Sequence, residues 1–199
     1  PWRAVALRFA GVAIVGQGAG GVTRPTAPPG RLAARVAMGA TQAISMGLLY
    51  AGQQHLPSAL ASVLMATTPV LVAVIAHRAL DERAAPHAFL VGVIGLGGIA
   101  LISGARLTEG VSAIGLVLLL GAAVASAVSK TIGKAVADLP IAILLRDLGA
   151  VVALAALGAS IVLEHDAPWT LSAREIVAAA YLGAVASAGA NALYFGLLR

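Results

Sequence analysis

The chemistry open to this chain is concentrated in a few polar side chains set within long apolar runs. Arg146 and Asp147 stand side by side in "PIAILLRDLGAVVALAALGASIVL", residues 140–163, where no other residue is charged. A carboxylate in such surroundings can take up a proton in one conformation and release it in another, as coupling to a proton gradient requires. Adjacent helical residues point about 100° apart, so the two groups are expected to find separate partners rather than each other. A second arrangement stays open, in which the helix starts later and both groups sit at headgroup level. Arg8 lies inside the first apolar run and Lys130 near the end of the fifth, where long stems let their heads reach water.

The uncharged polar residues fall into stripes. Gln42 and Gln53 are three helical turns apart and share a face, with Ser45 on its flank. Ser58, Ser62 and Pro69 share another, and Ser187, Asn191 and Tyr194 follow at spacings of four and three. Each stripe has two readings. Serine hydroxyls can bond within their own helix and amides can bridge helices, or several stripes can line one polar cavity. The substrate-cavity candidates are therefore Gln42, Ser45, Gln53, Asn191 and Tyr194, and the charge or coupling candidates are Arg8, Lys130, Arg146 and Asp147. Pro69, inside "SALASVLMATTPVLVAVIAHRALDER", removes one backbone hydrogen bond and is the candidate gating kink.

Enzyme chemistry finds no comparable support. The four histidines form no HExxH pair, and no Walker motif is present. "GQGAGG", residues 16–21, resembles a nucleotide loop in composition alone, because it follows an apolar helix and has no lysine placed to reach phosphate. The chain contains no cysteine, so disulfides and thiolate metal sites are excluded. Neither a catalytic residue, a cofactor nor a metal is expected.

The elements that must position these residues follow from composition. The chain is 60% hydrophobic and only 11% charged, against about 25% charged in ordinary soluble domains. No Asp, Glu, Lys or Arg occurs at 36–77, 84–105, 110–129, 148–163 or 176–198. About 20 apolar residues cross the hydrocarbon layer, so most of these gaps hold one helix and the first holds two. A soluble helical protein would show polar faces on most of its helices, and an outer-membrane barrel would alternate apolar with polar residues. The expected fold is an all-α, polytopic membrane helix bundle with about seven crossings, near 4–21, 35–54, 58–77, 86–104, 111–130, 140–162 and 174–197. Glycine and alanine are abundant, including the pair Gly16 and Gly20 and the run Gly92–Gly98, and predict close helix contacts.

Basic residues set the orientation. Arg24, Arg31, Arg35, Arg78, Arg83, Lys130, Lys134, Arg146 and Arg199 fall on one side, and Arg3, Arg8, Arg106 and Arg174 on the other. The richer side is expected to be cytoplasmic. These residues sit singly or in pairs between apolar runs, so the charge of +5 does not point to nucleic acid. In "HDAPWTLSARE", residues 165–175, Trp169 is placed to anchor at the interface. Both ends look cut rather than finished.

One stretch carries a family likeness. "GLLYAGQQHLPSALASVLMATTPVLVAVIAHRALDERAAPHAFLVGVIGLGGIALISG", residues 47–104, resembles the first-half signature of EamA-type proteins in the drug/metabolite transporter superfamily. The matching features are Tyr50, the small-residue stretch Ala59–Leu64, Pro69, Glu82 with Arg83, and the glycines Gly92, Gly95 and Gly98. Pro1 and Arg8 resemble the family's second helix, and the apolar runs beginning near Ile114 and Tyr181 its sixth and eighth. The family commonly has a tryptophan in the sixth helix where this chain has Ala125 or Ser126.

The resemblance implies ten helices in two inverted five-helix repeats, of which this chain would hold the second to eighth. Residues 1–104 would be a first repeat lacking its first helix, and 111–199 a second lacking its last two. It further implies a secondary carrier of small metabolites in the bacterial inner membrane, moving substrate outward. The expected partners are membrane lipid and a small-molecule substrate, with a homodimer left open. The alternative is a non-transporting membrane subunit packed against a partner protein.

Overall fold

The computed structural model describes residues 2–19, 31–80, 112–166 and 172–197, together with 90, 93, 94 and 97. Helices dominate the described residues, and none is in a strand. In chain order they are α1 (Trp2–Ala19), α2 (Leu32–Gln53), α3 (Ser58–Met65), α4 (Thr68–Ala79), α5 (Ala113–Ala135), α6 (Ile141–Leu163) and α7 (Ala173–Tyr181). A π-helical segment (Leu182–Ser187) then leads directly into α8 (Ala188–Leu197). Among the described residues, five stretches are long and apolar enough to cross a membrane: Leu32–Gln53, Ser58–Ala79, Ala113–Ala135, Ile141–Leu163 and Ala173–Leu197. The chain is thus all-α and a polytopic helical bundle. The stretch of the first expected crossing, 4–21, is helical up to residue 19 as α1, whose 18 residues include Arg3 and Arg8, and it is not one of these five. The fourth, 86–104, lies outside the described residues apart from positions 90, 93, 94 and 97, which are helical.

Helix ends follow local chemistry. Pro57 and Pro140 stand at the N-caps of α3 and α6, where the missing N–H removes nothing from the helix. Ser172 caps α7 through a reciprocal box: its hydroxyl accepts from the Glu175 amide, and the Glu175 carboxylate accepts from the Ser172 amide.

Pro69 has the effect its position predicts. The crossing from Ser58 to Ala79 breaks into α3 and α4 just before it. Proline cannot donate to the carbonyl four residues earlier, that of Met65. The Thr68 hydroxyl donates to that oxygen instead, at 2.6 Å, while Thr67 donates to the Leu64 oxygen through its amide (3.1 Å) and its hydroxyl (2.6 Å). Two threonines ahead of the proline therefore keep the interruption supplied with hydrogen bonds, as apolar surroundings require.

The described chain packs as two compact units, 1–43 with 132–199, and 44–131. This division concerns packing and leaves the expected repeat boundary untouched. In the first unit α1 lies antiparallel along α6. A Cβ on Gly16 would stand 2.4 Å from the Arg146 backbone nitrogen, and one on Gly149 would stand 2.4 Å from that of Ala13. Only hydrogen fits at either place, so backbone meets backbone. Gly20, the other member of the expected pair, lies outside the described residues. At the far end of this seam the Arg3 guanidinium donates to the Glu164 carbonyl at 2.8 Å, and the Trp2 amide to the Glu164 carboxylate at 2.8 Å.

The second unit is held differently. Leu56, Ala61 and Leu119 form a buried cluster with Leu49, Leu60, Leu64 and Leu116 packed around it. The buried Ser45 hydroxyl donates to the Ala122 carbonyl at 2.8 Å and ties α2 to α5. In both units large apolar side chains face outward, Ile14, Leu154, Val162 and Leu193 in the first and Ile44, Val74 and Val117 in the second. Such exteriors suit lipid rather than water.

Candidate functional site

The charged site assembles around α6. Its helix begins at Ile141, as the first of the two readings placed it, so Asp147 lies about 9 Å along the axis at 1.5 Å per residue. Both carboxylate oxygens of Asp147 are engaged. One accepts from Arg35 Nη1 on α2, and the other accepts from Arg146 Nε at 2.8 Å. The expectation that Arg146 and Asp147 would have separate partners is therefore corrected. Two side chains leaving a helix 100° apart still meet when one is an arginine, whose flexible stem folds back along the helix surface.

Arg35 is the residue that sequence reasoning missed. It was read only as a charge setting orientation at the start of the crossing 35–54, yet it is the fourth residue of α2 and its side chain is 5% exposed, against 16% for Asp147 and 37% for Arg146. The available signal was its spacing from Arg31, which puts both on one face of the opening turn. Arg31 in turn pairs with Asp138 just before α6, at an exposed position. The α2–α6 contact thus carries two ion pairs at different depths, and above them Gly39 receives the Val151 side chain.

A second polar group lies where α1 meets the π segment. Arg8 Nε donates to the buried Ser187 hydroxyl at 2.6 Å, and its guanidinium lies 5.8 Å from the centre of the Phe9 ring. This contact replaces the expected reach towards the headgroups. Gly183 permits the approach, since a Cβ there would stand 2.3 Å from the Arg8 carbonyl oxygen. The π-helical turn was not legible from the apolar pattern; such turns are rare and recur at functional positions. The Asn191 amide nitrogen donates back to the Ser187 carbonyl at 2.8 Å, leaving its carbonyl oxygen for other contacts. Tyr194 is half-buried, and its ring meets that of Phe195 edge-on at 5.5 Å. Ser187 is thus joined both to Arg8 and to Asn191 one turn on.

The remaining candidates lie on α2, α3, α4 and α5. Gln42 is half-buried on α2 and Gln53 is exposed at its end. Ser45 is the bridge to α5 already described. Lys130 is half-buried near the end of α5. Ser58, Ser62 and Pro69 are all exposed, and the Ser62 hydroxyl donates to the Ser58 carbonyl of its own helix at 2.9 Å. Trp169, Glu82 and Arg83 lie outside the described residues, as do most of the glycines in 92–98. An apolar cleft of about 440 Å³ is lined by Val15, Ile141, Leu145, Ala184, Ala188 and neighbours, with none of the site candidates on its walls. No group of three or more metal-ligating side chains occurs among the described residues.

Comparison with known proteins supplies the rest. A search of curated proteins returned no match. A solved chain titled "Crystal structure of protein" superposes on the whole of this chain and 71% of its own, with a TM-score of 0.79 and 21% identity, a likeness of fold alone. A family model described as the EamA-like transporter family matches residues 1–104, just over half of the 199. That match covers the very stretch whose tyrosine, threonine-supported proline and glycines carried the resemblance. The chain belongs to the EamA-like transporter family, whose members are in general non-enzymatic and move small molecules across membranes.

Proposed function

We propose that this chain is the greater part of a secondary carrier that exports small metabolites across a bacterial inner membrane. The observation carrying the proposal is a charged group, Arg35, Asp147 and Arg146, held within helices whose outer surfaces are apolar. Charges at such depth are costly, and in membrane proteins they mark substrate or ion pathways. The family match and the five crossing-length stretches point the same way. On this reading residues 1–104 and 111–199 are the two inverted repeats, and seven crossings of an original ten are present. A central site opens alternately to each side as one group of helices rocks against the other.

Within that scheme Gln42, Asn191 and Tyr194 contact polar parts of the substrate. Pro69 bends a gating helix, its threonines sparing the bend an energetic penalty. Arg146 and Asp147 set the charge the site accepts or couple it to protons, with Arg8 as a further charge near the path. The test is reconstitution of the purified chain alone in liposomes loaded with a cytosolic metabolite extract. Depletion of particular metabolites relative to empty liposomes is expected, and Asn191→Ala is expected to reduce it without lowering protein abundance. No depletion, together with a protein that co-purifies reproducibly, would favour the non-transporting subunit.

A further inference from the structure

We propose that the Arg35–Asp147–Arg146 group is a binding site for the carboxylate of a monoanionic organic substrate, with Asp147 occupying it as an internal stand-in. This assignment deepens the carrier reading and rests on it.

The first ground is charge. Two guanidiniums and one carboxylate leave one positive charge in surplus, and Arg35 is almost wholly removed from water. An uncompensated charge within a helix bundle is expensive, so a monoanion arriving there gains what the bundle alone does not supply. Donor geometry gives the second ground. Each guanidinium offers five N–H bonds in a planar fork suited to carboxylate. Asp147 engages Nη1 of Arg35 and Nε of Arg146, and the Arg31 carbonyl accepts from Arg35 Nε at 3.4 Å. The other terminal nitrogens have no bond among the described residues. No fully buried side-chain nitrogen or oxygen among the described residues lacks a partner, so these nitrogens are not completely sealed from the surroundings.

Depth and mobility are the third ground. Asp147 is bound by two arginines of unequal freedom: Arg35 is fixed by burial, while Arg146 is more than a third exposed. An incoming carboxylate can take the open donors of both, and Asp147 then keeps only part of its bonding. Competition between an internal and an external carboxylate links substrate arrival to the α2–α6 contact, since Arg35 and Asp147 sit on those two helices.

The test uses the full chain in nanodiscs of neutral lipid. Binding of acetate and benzoate is read by calorimetry and by the shift in melting temperature, with acetamide and benzamide as uncharged controls. The carboxylates are expected to bind and the amides not to. Asp147→Asn removes the competitor while keeping its shape, and is expected to bind benzoate at least tenfold more tightly. Arg35→Gln is expected to abolish binding. Should Asp147→Asn fail to accumulate, Arg146→Gln takes its place, changing a partly exposed residue and weakening benzoate binding.

Equal affinity in the wild type and Asp147→Asn, or unchanged binding in Arg35→Gln, would overturn the proposal. Repeating the titration with anionic lipid separates the two sources of an anion. Loss of the benzoate response there would assign the site to lipid phosphate and overturn the substrate reading. Metabolite depletion in liposomes without carboxylate binding would sink this proposal and leave the carrier standing; binding without depletion would do the reverse.

Discussion

Helix α6 meets α1 on one face and α2 on another, and the two seams are built from opposite materials. Against α1 the seam is made by absence: Gly16 and Gly149 have no side chain, and backbones touch where they cross. Against α2 it is made by the costliest groups available, the Arg35–Asp147 and Arg31–Asp138 pairs, with the Gly39–Val151 contact beyond them. In lipid no hydrophobic force pushes helices together, so the glycine seam relies on dispersion at short range, which fails abruptly when anything is inserted. Charged side chains are long and can rearrange. The first seam is therefore suited to stay closed and the second to change.

The glycine seam gives the largest expected effect. Gly149→Val would place its Cβ about 2.4 Å from the Ala13 backbone nitrogen, with two methyl groups beyond it, so the α1 and α6 backbones would have to move apart. A loss of about 3 kcal/mol or more is expected, seen as failure to recover monodisperse protein in mild detergent. Gly158→Ala is the matched control on the same helix, with nothing within 4 Å, and should melt as the wild type does. Equal behaviour of the two variants would show that α1 does not rest on α6 through glycine.

The ionic seam should respond next. Arg35→Ala leaves Asp147 with one arginine in place of two. Breaking a buried pair costs about 3–5 kcal/mol, and the remaining Arg146 contact and the partial exposure of Asp147 reduce this to about 2. Thermal melting in neutral detergent checks the value. Restoration by the double change Arg35→Ala with Asp147→Ala would show that the loss comes from the carboxylate deprived of Arg35, because the one member of the group then left without its partner is the partly exposed Arg146.

The contrast also explains what could be read in advance. Apolar length is a property of a stretch of chain, so α2, α5, α6 and the last crossing were legible from charge-free runs alone, and Pro69 announced the break before α4. Polar partners are a property of two stretches at once. The sequence marked Asp147 as a costly residue, but Arg35 lies 112 positions away and only the packing of α2 against α6 joins them. Arg8 and Ser187 are further apart still, and their contact depends on the π turn and on Gly183, neither of which alters the apolar pattern. Stripes of serine were ambiguous for a related reason: Ser45 bridges helices and Ser62 bonds within its own, yet both look alike in one dimension.

Within the ionic seam a smaller effect separates packing from charge. Gly39→Ala would bring a methyl group within 2.5 Å of the Val151 side chain rather than of backbone. The nearest atom is the Val151 Cβ, which no side-chain rotation moves, so the helices must part locally; the added group is a single methyl, and a cost of about 1.5 kcal/mol is expected, below that of the bulkier valine at Gly149. A loss as large as that of Gly149→Val would mean that the α2 seam is as unyielding as the α1 seam, and the proposed division between a fixed and a changeable contact would fail.

The smallest effect belongs to the outermost pair. Arg31 and Asp138 side chains are 43% and 63% exposed, so water screens their attraction and the gain is offset by the cost of ordering both. Arg31→Ala should lower stability by at most about 0.5 kcal/mol and should lose even that in high salt, where the Debye length falls to about 3 Å at 1 M. Melting of wild type and variant at low and high salt measures both quantities. A loss that persists in high salt would mean that Arg31 acts through packing. A loss comparable to that of Arg35→Ala would mean that depth along α6 does not grade the seam, and with it would go the reason for placing the responsive contact at Asp147.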